Sequence, residues 1–197
     1  MNEEQHQKPP ILVRDAKLAD RTAIRRVLID SWESPTTVVH DEQIDVLALS
    51  ALVAIDEAND LLGVVTFRDC GDSYEIVTLD ALTDGNGVDT ALLKAVIARA
   101  RDAGRSRVWL VTTNDNLRAI RFYQRRGLRL VRVDVGAVDR ARKLKPEIPL
   151  VGEHGIELHD ELEFEFRWTS DVDALGSSFQ NSNMAAELLA DRSRERH

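Results

Sequence analysis

EIVTLDALTDGNGVDTALL, residues Glu75 to Leu93, changes its pattern halfway along. Tyr74 to Leu82 reads as a strand. The Asp-Gly-Asn-Gly run at Asp84–Gly87 is a turn, and Val88 to Ala103 reads as a helix. Val88, Leu92, Val96 and Ala100 recur at helical spacing, and Gly104 is placed to end the helix. A strand that turns tightly into a helix points free backbone N–H groups outward at the helix N-terminus. That makes Gly85–Thr90 a candidate cradle for phosphate, with Gly85 and Gly87 allowing close approach of the ligand to the main chain. An ordinary turn that simply starts a helix is the plain alternative.

Outward from this stretch, Arg107–Thr112 reads as a buried strand and Asn116–Arg126 as a helix closed by Gly127. The strand–helix–strand crossing over 74–112 implies a parallel pair in one sheet. Upstream, Ile11–Arg14 is a short strand. Asp20–Asp30 is a helix that Asp20 can cap, with Ile24, Val27, Leu28 and Ser31 on one face. Trp32–His40 reads as a loop and Asp41–Leu49 as a short helix. Ala51–Ile55 and Leu61–Phe67 form a hairpin around Asp56–Asp60. Downstream, Leu128–Val135 is a strand, Val138–Lys145 a short helix and Pro146–Asp160 a long loop. Glu161–Trp168 alternates as a half-buried strand, with Leu162, Phe164, Phe166 and Trp168 on its apolar side. Runs of adjacent strands imply antiparallel pairs. The fold class is therefore α+β: a mixed, mostly antiparallel central sheet with one splayed parallel pair and helices on both faces. Three segments follow: a flexible lead-in over 1–10, a domain over 11–168, and a polar tail over 169–197 expected to be disordered.

Composition bounds the function. At 197 residues, 43% hydrophobic and 30% charged, the chain suits one globular domain. No apolar run reaches the ~18–20 residues of a membrane span, and the N-terminus lacks the apolar centre of a signal peptide. The single cysteine, Cys70, excludes an intrachain disulfide framework; it reads as a small core or turn residue and suits a reducing, cytoplasmic location. His154 and His159 with Glu157, Asp160 and Glu161 match no standard metal spacing, so no metal is expected. Gly85 and Gly87 do not make a dinucleotide fingerprint, because Thr90 stands where a third glycine belongs. The net charge of −8 conceals a segment, Asn116–Lys145, of net charge +8. A cationic patch in an acidic protein suits a small polyanion better than a nucleic acid.

The run Asn116, Ala119, Phe122, Tyr123 and Gly127 resembles the pattern Asn-x-x-Ala-x-x-Phe-Tyr-x-x-x-Gly of the GNAT superfamily of N-acetyltransferases. The element order over Ile11–Trp168 is similar to that fold. TTNDNLRAIRFYQRRG, KPEIPLVGEHGIEL and DELEFEF are similar to an uncharacterised bacterial subgroup of it. The family's glycine motif is degraded here: Asp84, Gly87 and Asp89 stand at its marked positions, and only the central glycine is kept. The resemblance implies acetyl-CoA as co-substrate, held by the backbone of Leu79, Asp80 and Ala81. The Gly85, Gly87, Val88, Asp89 and Thr90 turn would hold its pyrophosphate, and Asn116, Ala119 and Tyr123 would line it.

By the same resemblance Tyr123 protonates the departing thiolate. A general base is also needed. Alternation backwards from Leu79 places Val77 and Glu75 on its face, so Glu75 could reach the amine directly or through a water; a solvated strand-end glutamate is the alternative. Trp32, Thr36, Thr37 and His40 follow the first helix, where this fold overhangs the acceptor. The expectation is an acetyl-CoA-dependent N-acetyltransferase acting on an amine, with a homodimer left open. Its rival is a weakened GNAT-fold module that binds acyl-CoA or a protein partner. Asp84 and Asp89 favour that rival, because a carboxylate ~4 Å from a phosphate is repelled by about 1–4 kcal/mol.

Overall fold

In the computed structural model, residues 10–32, 36–39, 42–83 and 85–168 are described. The lead-in before Pro10, His40, Asp84, the segment from 169 onward and the side chain of Trp32 lie outside that description. One compact unit ends at Arg167. It holds strands β1 (Leu12–Asp15), β2 (Thr36–Val39), β3 (Glu42–Asp45), β4 (Ser50–Ile55), β5 (Leu61–Asp69), β6 (Ser73–Ala81), β7 (Arg107–Thr113), β8 (Arg129–Asp134) and β9 (Glu161–Arg167). Its helices are α1 (Arg21–Trp32), α2 (Val88–Asp102), α3 (Leu117–Arg125) and α4 (Ala137–Leu144).

Seven strands form one sheet in the order β1-β4-β5-β6-β7-β9-β8, while β2 and β3 pair separately. Only β6 and β7 run parallel in the seven-stranded sheet, joined by the α2 crossover that the sequence predicts. Consecutive residues of β5 serve opposite faces. Val64 packs with Val53, Ile55 and the Ile24, Val27 and Leu28 stripe of α1. Gly63 faces the other way, under Val88 and Leu92 of α2. Helices therefore cover both faces, as expected.

Three local expectations are corrected. Thr36–Val39 is a strand rather than part of a loop, since its β-branched run finds a partner in Glu42–Asp45. That partner replaces the expected helix over 41–49. Only a 3-10 turn at Val46–Ala48 remains there, capped by the Asp45 carboxylate, which accepts from the Leu47 N–H at 3.0 Å. Asp20 does not cap α1. Its carboxylate turns back to accept from the Lys17 N–H at 2.6 Å and from Arg14 at 2.7 Å, which holds its pKa down at about 2.

The polar side of β9 is also covered. Glu161 and Glu163 are buried. β9 lies inside the sheet, and Arg107 and Arg132 close over Glu163 at 3.1 and 3.0 Å. Cys70 is exposed, in the turn between β5 and β6.

Candidate active site

β6 and β7 pair only between Ser73–Ile76 and Arg107–Leu110, although β6 runs on to Ala81 and β7 to Thr113. Pairing stops at a bulge. Thr66 partners Thr78 and Phe67 partners Ile76, so β6 carries one extra residue, Val77. A bulge bends its strand and increases local twist, which carries the end of β6 away from β7. The Leu82 N–H donates to the Leu62 carbonyl at 2.9 Å. By the antiparallel alternation, Asp80 then exchanges its main-chain bonds with Val64, while Leu79 and Ala81 direct theirs into the splay. Of the three residues expected to offer backbone to a ligand, Leu79 and Ala81 direct main-chain groups into the splay, and Asp80 turns its own to Val64.

The bulge also moves Glu75. Its register partner is Arg68, so it shares a face with Thr78 and Asp80 and lies opposite Leu79, which corrects the uniform alternation assumed from sequence. Its carboxylate is fully buried and accepts from Arg68 Nε at 2.5 Å; Arg68 also reaches Glu42 on β3 at 3.1 Å. Glu75 is not among the residues that wall the cavity.

That cavity, of about 1320 Å³, opens where the strands part. Leu79, Asp80 and Ala81 line it from β6, and Asn116, Ala119 and Tyr123 from α3. The Asn116 side-chain oxygen accepts from the Ala119 N–H at 3.0 Å, so it caps α3 and fixes the helix start beside the splay. Tyr123 is half-buried, with Phe164 5.8 Å from its ring centre. Burial, reinforced by the Asp80 and Asp89 carboxylates, pushes its phenol pKa well up, so it stays protonated across the neutral range.

At the turn, Gly85 and Gly87 take left-handed conformations that other residues adopt at a cost, and Gly87 caps α2. Gly85 and Asp89 reach the cavity wall. Val88 turns into the core, and Thr90 is bonded through its hydroxyl by Arg126 Nε at 2.9 Å. The Asp89 carboxylate accepts from the Thr90 N–H at 2.7 Å, so one of the helix's outward N–H groups is already satisfied by an anion of the chain itself. Thr37 lines the cavity from β2, and Thr36 does not.

Several residues on this site carry no motif. Arg118, Arg121 and Arg125 of α3 and Arg126 just after it line the cavity, as do Glu153, His154 and Glu161. The periodicity of α3 marks which arginines share a face, but nothing in the sequence shows that this face meets the splay. Gly63 carries no sequence signal either: a Cβ there would lie 2.6 Å from the Asp80 carbonyl oxygen and 2.7 Å from Val88. His154 and His159 do not converge. His159 pairs with Glu157 and Asp139, and among the described residues no group of three His, Cys, Asp or Glu side chains is placed to hold a metal ion. Nor is any helix among them long and apolar enough to cross a membrane.

Known proteins share this architecture. Residues 21–128 match the acetyltransferase (GNAT) family. The chain is 39% identical over 133 residues to the uncharacterised protein YdhI of Bacillus subtilis, covering 68% of this chain and 83% of YdhI. It is 38% identical over 131 residues to YxbD of the same organism, covering 66% and 82%. Among solved structures, an IAA acetyltransferase from Bacillus cereus superposes with a TM-score of 0.63 at 18% identity, over 81% of this chain and all of the other. A GNAT family acetyltransferase from Elizabethkingia anophelis, solved with acetyl-CoA bound, gives 0.58 at 16% identity over 80% and 98%. A splayed parallel pair, a tyrosine-bearing helix beside it and this family match lead to one assignment: the chain belongs to the GNAT family of acetyltransferases.

Proposed function

We propose that the protein transfers the acetyl group of acetyl-CoA to an amine nitrogen. One observation carries this reading: the unpaired main-chain edge of Leu79 and Ala81 and the protonated phenol of Tyr123 line one cavity. An extended amide-bearing arm can add to such an edge as a short strand would. The cavity wall fits a polyanionic carrier through Arg118, Arg121 and Arg125 on α3 and Arg126 just after it. Gly85 and the start of α2 supply close backbone approach. Asp89 opposes this fit.

In the reaction the amine lone pair forms the C–N bond as the C–S bond of the thioester breaks. Tyr123 gives its proton to the leaving sulfur and regains one from the new amide nitrogen. At neutral pH the phenol carries the proton that the departing sulfur needs. Glu75 is too enclosed by Arg68 to serve as base in this arrangement.

The rival, a module that binds acyl-CoA weakly without turnover, draws support from Asp84 and Asp89. Calorimetric titration with acetyl-CoA at modest salt separates the two. Binding is expected, and no heat of binding at high-micromolar protein would sink the enzyme reading. Tyr123→Phe is expected to lower kcat by about 10²–10⁴-fold with little change in acetyl-CoA affinity. Unchanged turnover would remove Tyr123 from its role.

A further inference from the structure

The sequence pattern predicts only a loop over 146–160, yet the structure pins this segment firmly and places it on the cavity wall. The buried Asp115 carboxylate, at the β7–α3 junction, accepts from the Glu153 N–H at 2.8 Å and from the Thr113 hydroxyl. Asn114 donates to the Glu157 carbonyl at 2.8 Å and accepts from the N–H groups of His159 and Asp160 at 3.0 and 3.1 Å. From the other side, Arg142 of α4 donates to the carbonyls of Ile148, Pro149 and Leu158. Gly152 fits where a Cβ would stand 2.0 Å from Asp115. The segment that carries Glu153 and His154 is therefore tied to the end of β7 and to α4, beside the splay.

We propose that this end of the cavity is the acceptor subsite, and that it takes a primary monoamine carried on an apolar body; the inference rests on the acetyl-transfer reading above. Glu153 and Glu161 line the cavity there and attract an ammonium ion. Val138, Ile148 and Leu158 line it too, and give an apolar body a surface to cover. Lys145, just after α4, reaches the same cavity, so a second ammonium on the acceptor would meet a like charge.

His154 completes the chemistry. An ammonium ion has no lone pair, so it must lose a proton before it can attack the thioester carbonyl. His154 lies on the cavity wall, and its side chain is 60% exposed. Its imidazole takes that proton and passes it to solvent. The free amine then reacts as described, the C–N bond forming while the C–S bond breaks. One proton is released for each acetyl group transferred.

The test compares 2-phenylethylamine with spermidine as acceptors for wild type, Glu153→Gln and His154→Asn. Asparagine tolerates the left-handed backbone found at His154. Acetyl-CoA affinity is measured calorimetrically for each protein and is expected to stay constant, which also reports correct folding. Wild type should favour 2-phenylethylamine over spermidine by about tenfold or more in kcat/KM. Glu153→Gln should raise the KM for 2-phenylethylamine about tenfold with kcat little changed. His154→Asn should lower kcat about 10²-fold near neutral pH, and the loss should shrink as pH rises toward the amine's own pKa. Three results would overturn this inference alone while acetyl-CoA still binds: no transfer to 2-phenylethylamine, a preference for spermidine, or unchanged kinetics in both variants. Failure of wild type to bind acetyl-CoA would overturn it together with the proposed function.

Discussion

At the scale of single residues, one carboxylate faces the cavity and another lies buried away from it. Asp89 satisfies the Thr90 N–H and faces the cavity, where the α2 N-terminus would otherwise present that donor to a phosphate. Asp89→Asn keeps an acceptor for the Thr90 N–H and removes the charge. Acetyl-CoA should then bind about fivefold tighter or more, the lower end of what a repulsion of ~1–4 kcal/mol implies. An unchanged dissociation constant would mean that the phosphates lie elsewhere. Glu75 poses the opposite case: a fully buried carboxylate against the Arg68 guanidinium. Glu75→Gln leaves the Arg68 guanidinium facing a neutral amide, so the melting temperature should fall while acetyl-CoA affinity holds. A loss of turnover at unchanged stability would show that Glu75 reaches the amine after all.

At the scale of elements, the contact between β5 and α2 positions the Gly85–Asp89 end of the cavity. Gly63 lets Val88 and Leu92 settle directly on the strand, and Val88 is the first residue of α2. Gly63→Ala would drive a methyl group into the Asp80 carbonyl and the Val88 side chain, lifting the start of α2. Overpacking of this kind costs about 1–3 kcal/mol. Thermal denaturation should show the loss, and acetyl-CoA binding should weaken with it, because Gly85 and Asp89 flank the lifted turn. A normal melting temperature would mean that the helix shifts freely. The element boundaries themselves were largely legible: α2 and α3 carry clear periodicity, and Asn116 and Gly127 mark the ends of α3. The β2–β3 pair was not legible, because a four-residue strand has too few residues to show a period, and its partner is set by pairing.

At the scale of the whole molecule, the +8 segment does not act as one field. Arg132, Arg140 and Arg142 are paired with Glu163, Asp134 and Asp139. Arg118, Arg121, Arg125 and Arg126 line the cavity, which focuses positive charge inside an otherwise acidic protein. Affinity for acetyl-CoA should therefore fall several-fold as salt rises from about 50 to 500 mM, since the Debye length shrinks well below ~10 Å over that range. Calorimetry at the two salt concentrations checks this. A flat salt dependence would mean that these arginines do not meet the ligand's phosphates.

The sequence by itself determined the family and the fold class, and it named the helix that carries Tyr123. Those follow from short-range patterns, namely turn residues, helical spacing and strand runs, which the chain expresses locally. The tertiary structure alone decided which groups face the cavity. The bulge at Val77 turns Glu75 away from Leu79, because one extra residue reverses every side chain beyond it, and the need for it arises from pairing with β5. Asn114, Asp115 and Arg142 convert a nondescript loop into a fixed wall through bonds to carbonyl and N–H groups up to 46 residues away. Such partners share no spacing that a sequence could display. They are brought together only when the sheet closes around β7 and β9.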